Sequence, residues 1–417
     1  TALTLGGAIS GSGGLVKKNV GVLTLKGTNT YAGATELDEG SLTLADGGTV
    51  GTGPLLMNNG SAPLNVTGTI PSVLTNEVRL PQTVAYLNVA GTLELGGPLT
   101  RQGTNTLYKQ GAGELVLSGS GLTTNDSDRV ILQDGRVRFA SGADYRFGSL
   151  TRDIFKMDEN NSKARMLTVG AGARADLSGI YMAYGTNTVV VDGTLNLLGN
   201  FDAACLRTAT GDQVAVDRFT VRPGGLVTMP QAAWFNVGVR GPGVLSVEGG
   251  AAQLGSVSLG YQQRNSDYYG GAYGRVFITG GGLLDVTGKW NWMGDSNNLA
   301  RVNMLVVGDG VSVGSTVRLP PTTLTTAGGW SSLGLDKGTL VMAGNGLTAP
   351  VAGDYLNGLK QLYVSTNGGT FETAGAGITL SQPIGSDGAG GVLAKAGAGS
   401  LTLAQPLPWS GMVDVRG

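Results

Sequence analysis

The stretch LTLGGAISGSGGLVKKNVGVLTLKGTNTYAGATELDEGSLTL, from Leu3 to Leu44, decides the fold. A Leu-Thr-Leu triplet appears in it at Leu3 to Leu5, Leu23 to Leu25 and Leu42 to Leu44, with glycine, asparagine or aspartate close by. Apolar residues at alternate positions send one side of the chain to a core and the other to water, the pattern of a half-buried strand. The flanking residues tolerate the left-handed conformations that end such strands in tight turns.

Outward from this stretch the same short element recurs, as LEL at Leu93 to Leu95, VVV at Val189 to Val191, ITL at Ile378 to Leu380 and LTL at Leu401 to Leu403. Segment 3–44 resembles segment 378–417, and a third copy occupies 93–139. Lys18, Lys109 and Lys395 align across the copies, as do Gly21, Gly113 and Gly399, and the lysines read as solvated edge charges. No 3.6-residue period lasts beyond two turns; Arg152 to Met166 is the best helix candidate and reads equally as a surface excursion.

Many short strands with internal repetition select a solenoid over a sandwich or closed barrel. The expectation is an all-β chain, a single-stranded parallel β-helix (β-solenoid) continuous over 1–417, with loop excursions at 152–166 and 261–275. At about 20 to 25 residues per coil and about 4.8 Å of rise, this predicts a rod of roughly 80 to 100 Å. Tight corners between faces account for 73 glycines in 417 residues.

The run from Lys18 through Asn29, Tyr31, Gly33 and Thr35, of pattern K-x-x-G-x-L-T-L-x-G-x-N-T-Y-x-G-x-T, resembles the autotransporter-associated β-strand repeat. The match is strong at the start, less complete at Lys109 and Lys395, and loose between about 140 and 370; Asn29 and Tyr31 have no faithful counterpart later. The resemblance implies a right-handed parallel β-helix in an exported bacterial protein, extracellular or on the cell surface, with no catalytic residues.

Composition narrows the function further. There is no histidine, which removes Ser-His-Asp and Cys-His nucleophile pairs, H-E-x-x-H zinc sites and imidazole switches. The single cysteine, Cys205, cannot close a bridge within the chain. A net charge of −1 gives no electrostatic footprint for nucleic acid or an anionic membrane, and allows copies to associate. No apolar run approaches the length of a spanning helix. No cofactor and no enzymatic activity are expected. Asp126, Asp128, Asp153, Asp158, Glu159, Asp267 and Asp295 are the candidate acids for a polysaccharide-cleaving site, but Asp in Gly/Asn/Ser-rich loops more simply makes Asx-turns. Asn125 to Asp128 could offer calcium hard oxygen ligands, though not at EF-hand spacing.

Two sets of contact residues stand out. At the ends, Leu3, Thr4, Leu5 and Ile9, and Leu401, Leu403, Trp409, Val413 and Val415, lie inside repeats with no capping segment. Read in series, VDVRG followed by TALTLGG parallels the internal LDEG followed by SLTLADGG, which predicts head-to-tail stacking of copies into an extracellular structural filament. The alternative is an adhesin-like autotransporter passenger segment. The second set is Tyr261, Tyr268, Tyr269, Tyr273, Trp290 and Trp292, a candidate surface for a glycan, a cell-surface ligand or a protein; if Trp290 and Trp292 face inward they are core instead.

Overall fold

A computed structural model describes residues 1–81, 84–101, 106–123, 129–147, 155–157, 163–183, 185–199, 202–207, 216–239, 241–260, 273–293, 302–320, 325–327, 331–342, 353–354, 356, 359–386 and 391–417. None of these residues is helical, and the strands stack into parallel sheets as a β-solenoid does. The chain divides into two compact units, Thr1–Gly199 and Asn200–Gly417.

In the first unit each complete coil lays one strand on each of three faces. The first face holds Ala2–Leu5, Val22–Leu25, Ser41–Ala45, Leu64–Thr67, Val84–Val89, Thr106–Gln110, Arg129–Leu132, Phe155–Met157 and Ile180–Met182, in that order. The second face begins at Ser72–Leu74 and continues through Thr92–Leu95, Glu114–Leu117, Gly135–Phe139, Arg165–Val169 and Asn187–Val191. A five-stranded sheet from Leu15–Lys17 to Leu99–Arg101 starts the third face, and the sheet from Ser120–Thr123 to Thr194–Leu197 follows it.

Alternation along each strand becomes a column across coils. Val84–Val89 alternates half-buried with buried residues, and its Leu87 stacks in register between Leu64 and Lys109. The inward column therefore reads Leu3, Leu23, Leu42, Leu64, Leu87, Lys109, Leu132, with a second formed by Leu5, Leu25, Leu44, Val66 and Val89. A register slip of one residue would turn every such leucine outward, so the core and the coil register specify one another.

The first coils cross the second face without a strand, and here the N-T-Y residues act. Asn29 accepts the Ile9 amide at 2.7 Å through Oδ1 and donates from Nδ2 to the Thr49 carbonyl at 2.6 Å. One side chain thus ties together three successive coils. Tyr31 is buried, its hydroxyl 2.5 Å from Thr35 Oγ1. Its ring lies where a Cβ on Gly51 would fall, so the next coil needs glycine there.

The second unit is again three-faced. One sheet includes Trp234–Val239, Ser256–Leu259 and Trp290–Met293; a second includes Pro242–Glu248, Tyr273–Thr279 and Asn303–Val307; a third runs from Leu226–Thr228 to Met412–Val415. Cys205 lies in Asp202–Arg207, opposite Asn236.

Both stretches expected as loop excursions, 152–166 and 261–275, contain strand residues. Phe155–Met157 pairs with Val130, Ile131 and Ile180–Met182, while Arg165 and Met166 begin a second-face strand. The charge density of that segment masked a three-residue strand with Phe155 and Met157 inside. Likewise Tyr273, Gly274 and Arg275 belong to a strand paired with Pro242, Gly243 and Val244.

Candidate interaction surfaces

The repeat-position lysines are structural, contrary to their reading as solvated edge charges, and the alignment shifts by one residue. Lys17 rather than Lys18 matches Lys109 and Lys395, because each stands in an inward position: opposite Leu37, between Leu87 and Leu132, and between Phe371 and Val415. Each ammonium reaches past the strand end into a corner of form K-x-x-x-G. Lys17 Nζ donates to the carbonyls of Lys18, Asn19 and Glu39, and Lys109 Nζ to those of Gln110 at 3.1 Å, Gly111 at 2.6 Å and Asp134 at 2.9 Å. Lys395 Nζ donates to Gly397. The acceptors on Glu39 and Asp134 belong to the adjacent coil, so the lysine closes its own corner and pins the neighbouring one. Lys109 is fully buried. Burial pushes its amine down to about 8, Asp134 opposes that fall and Lys163 adds to it.

Trp290 and Trp292 are core. They stack on the inward residues Val257 and Leu259, are at most 1% exposed, and pack edge to face with centroids 5.6 Å apart. They therefore leave the predicted contact surface. Tyr273 is half-buried beneath the Arg275 guanidinium, 5.0 Å from its ring centroid. Tyr261, Tyr268 and Tyr269 lie outside the described residues, as do Asp126, Asp128, Asp153, Asp158, Glu159, Asp267, Asp295 and the Asn125 to Asp128 run. Among the described residues no group of three or more His, Cys, Asp or Glu is placed to share a metal.

Among the terminal residues, Leu3, Leu5, Leu401, Leu403, Val413 and Val415 continue inward columns, each with one stacked neighbour. Leu3 is 57% exposed, Thr4 is exposed, and Leu5 and Ile9 are half-buried. Leu3 and Leu5 line a depression with Leu15, Val16, Val20 and Val22. At the other end Val413 and Val415 are exposed, and Leu401, Leu403 and Trp409 half-buried.

Sequence reading missed the outward side of the first face in the first unit. Tyr86, Tyr108, Ile131, Lys156 and Tyr181 stand in one register column. The Tyr86 and Tyr108 rings stack at 5.1 Å and 18°, and the Lys156 ammonium lies 5.3 Å from the Tyr181 ring centroid. Beside it runs an amide ladder: Asn88 Nδ2 donates to Asn65 Oδ1 at 2.9 Å, and Gln110 Nε2 to Gln133 Oε1 at 2.5 Å. The other faces carry ion pairs. Arg138 meets Glu114 at 3.1 Å, and Arg174 meets Asp176 at 2.9 Å. Burial alone would raise the Asp176 carboxyl, but hydrogen bonds from Arg174 and Asn196 hold it below its ordinary value.

The chain is similar to an autotransporter adhesin. It is 27% identical over 312 residues, 70% of this chain, to the BmaC autotransporter adhesin of Brucella suis biovar 1 (strain 1330). The chain spans 8% of that relative's length. No family model matches it and no solved structure matches it, so the repeat type rests on the residues themselves.

Proposed function

We propose that this chain is part of the exported, surface-exposed passenger of a bacterial autotransporter and that it works in adhesion. The single observation that carries this reading is similarity to an autotransporter adhesin along 70% of the chain. The parallel coil architecture supports it, since solenoids present extended surfaces to partners. In this reading the chain has no catalytic role or cofactor, its glycines and inward leucines build the scaffold, and its outward columns make the contacts.

The test is to display the 417-residue chain on a non-adherent bacterium through a heterologous anchor and count cells retained on an epithelial monolayer. Retention well above an empty-anchor control supports adhesion; equal retention refutes it. Head-to-tail stacking of copies is a second reading, in line with a net charge of −1 that lets copies associate. Sedimentation of the purified chain at rising concentration tests it, and a constant monomer would end it.

A further inference from the structure

The first face of the first unit differs from the other two in charge and chemistry. Its strands from Ala2–Leu5 to Ile180–Met182 contain no aspartate or glutamate; their outward charges are Arg129 and Lys156. The second and third faces carry Glu36, Glu94, Glu114, Asp144 and Asp176 within their strands. The tyrosine and amide columns run side by side along the coil axis. From Tyr86 to Tyr181 there are four coil steps, about 19 Å at roughly 4.8 Å per step.

We propose that this face binds a linear polysaccharide lying along the coil axis. Because Tyr86 and Tyr108 stack on each other, they offer ring edges and hydroxyls rather than open ring faces. Ile131, only 8% exposed, fills the gap between Tyr108 and Lys156. The outer surface is thus a narrow ridge of rings and aliphatic carbon beside a row of Asn and Gln amides that hydrogen-bond to one another across coils. A sugar chain has that same pairing of C–H surface and hydroxyls. A folded protein partner would instead need a central anchor in a desolvated pocket, and this ridge has none. With two cations and no carboxylate on these strands, the face accepts neutral or acidic sugars and disfavours polycations.

The proposal rests on the adhesive reading for its setting, and its test is separable from that reading. The full chain is run in native gels containing hydroxyethyl cellulose, as a neutral probe, or alginate, as an acidic one. Retardation in at least one gel is expected, weakened about tenfold in Tyr86→Ala/Tyr108→Ala, a loss of about 1.4 kcal/mol, and unchanged in Glu94→Gln on the second face. Circular dichroism confirms that the variants keep their β signal. No retardation by either polymer, or equal retardation of the folded double variant, overturns the proposal. Retardation in alginate alone that disappears in high salt and is unchanged in the folded Tyr86→Ala/Tyr108→Ala variant would mark non-specific charge binding and also overturn it. The cell-retention assay of the displayed chain is scored independently, so adhesion without polysaccharide binding removes this inference and leaves the adhesive reading standing.

Discussion

Replacing Lys109 by methionine tests whether a buried ammonium closes the coil corner. At pH 7 the variant keeps the aliphatic stem between Leu87 and Leu132 but removes the donor shared by the carbonyls of Gln110, Gly111 and Asp134. Leaving buried acceptors unpaired costs about 1 to 3 kcal/mol per group; relief of ammonium desolvation offsets part of that, for a net loss on the order of 2 kcal/mol. The pH dependence is sharper. The folded amine titrates near 8 and the unfolded one near 10.5, so the unfolded chain binds more protons between those values and folding stability rises with pH. From pH 7 to pH 10 the wild type gains about 2.5 kcal/mol from this group, and the methionine variant gains none. Urea midpoints of both proteins at pH 7, 8, 9 and 10 give the difference directly, with other titrations cancelling. A difference constant across that range, or one that shrinks as pH rises, refutes the buried-amine account.

Four further outcomes follow from particular contacts. Asn29→Ala removes the bridge from Ile9 to Thr49 and should lower stability by about 2 kcal/mol, read as a drop in urea midpoint with unchanged slope. Gly51→Ala drives a methyl into the Tyr31 ring and carbonyl, costing about 1 to 3 kcal/mol; pairing it with Tyr31→Ala should cost less than the sum of the single changes. Trp290→Ala opens a cavity against Trp292 and should cost about 3 to 5 kcal/mol, whereas a surface role would leave the melting temperature unchanged. Asp309, held down to about 2 by amide hydrogen bonds from Ser312, Val311 and Gly280, anchors the turn that exposes Val311 and Val313. Its contribution is complete above about pH 4 and fades as pH falls through 2; Asp309→Ala should speed amide exchange at 311 and 312 at neutral pH.

The strands were legible because Leu-Thr-Leu alternation has the two-residue period of a pleated strand, and repeated triplets identified a solenoid. Three features were not legible. Aligning on Lys18 hid the equivalence of Lys17, and in a strand a one-residue shift exchanges inside for outside; the K-x-x-x-G spacing shared by Lys17, Lys109 and Lys395 was the available signal. Alternation placed Trp290 and Trp292 on one face, but only register against Val257 and Leu259 shows that the face is inward. The Tyr86 to Tyr181 column was concealed by unequal coils: its members are separated by 22, 23, 25 and 25 residues, so no fixed period reveals them.

In the proposed reading the folded coil, rather than any linear segment, carries adhesion. The most direct measurement adds purified chain as a competitor to bacteria displaying it, using native protein in one arm and urea-unfolded, freshly diluted protein in the other, with circular dichroism recorded on both. Dose-dependent inhibition of attachment by the native chain alone is predicted. Equal inhibition by a chain that remains unfolded, or none by the native chain at saturating concentration, would contradict it.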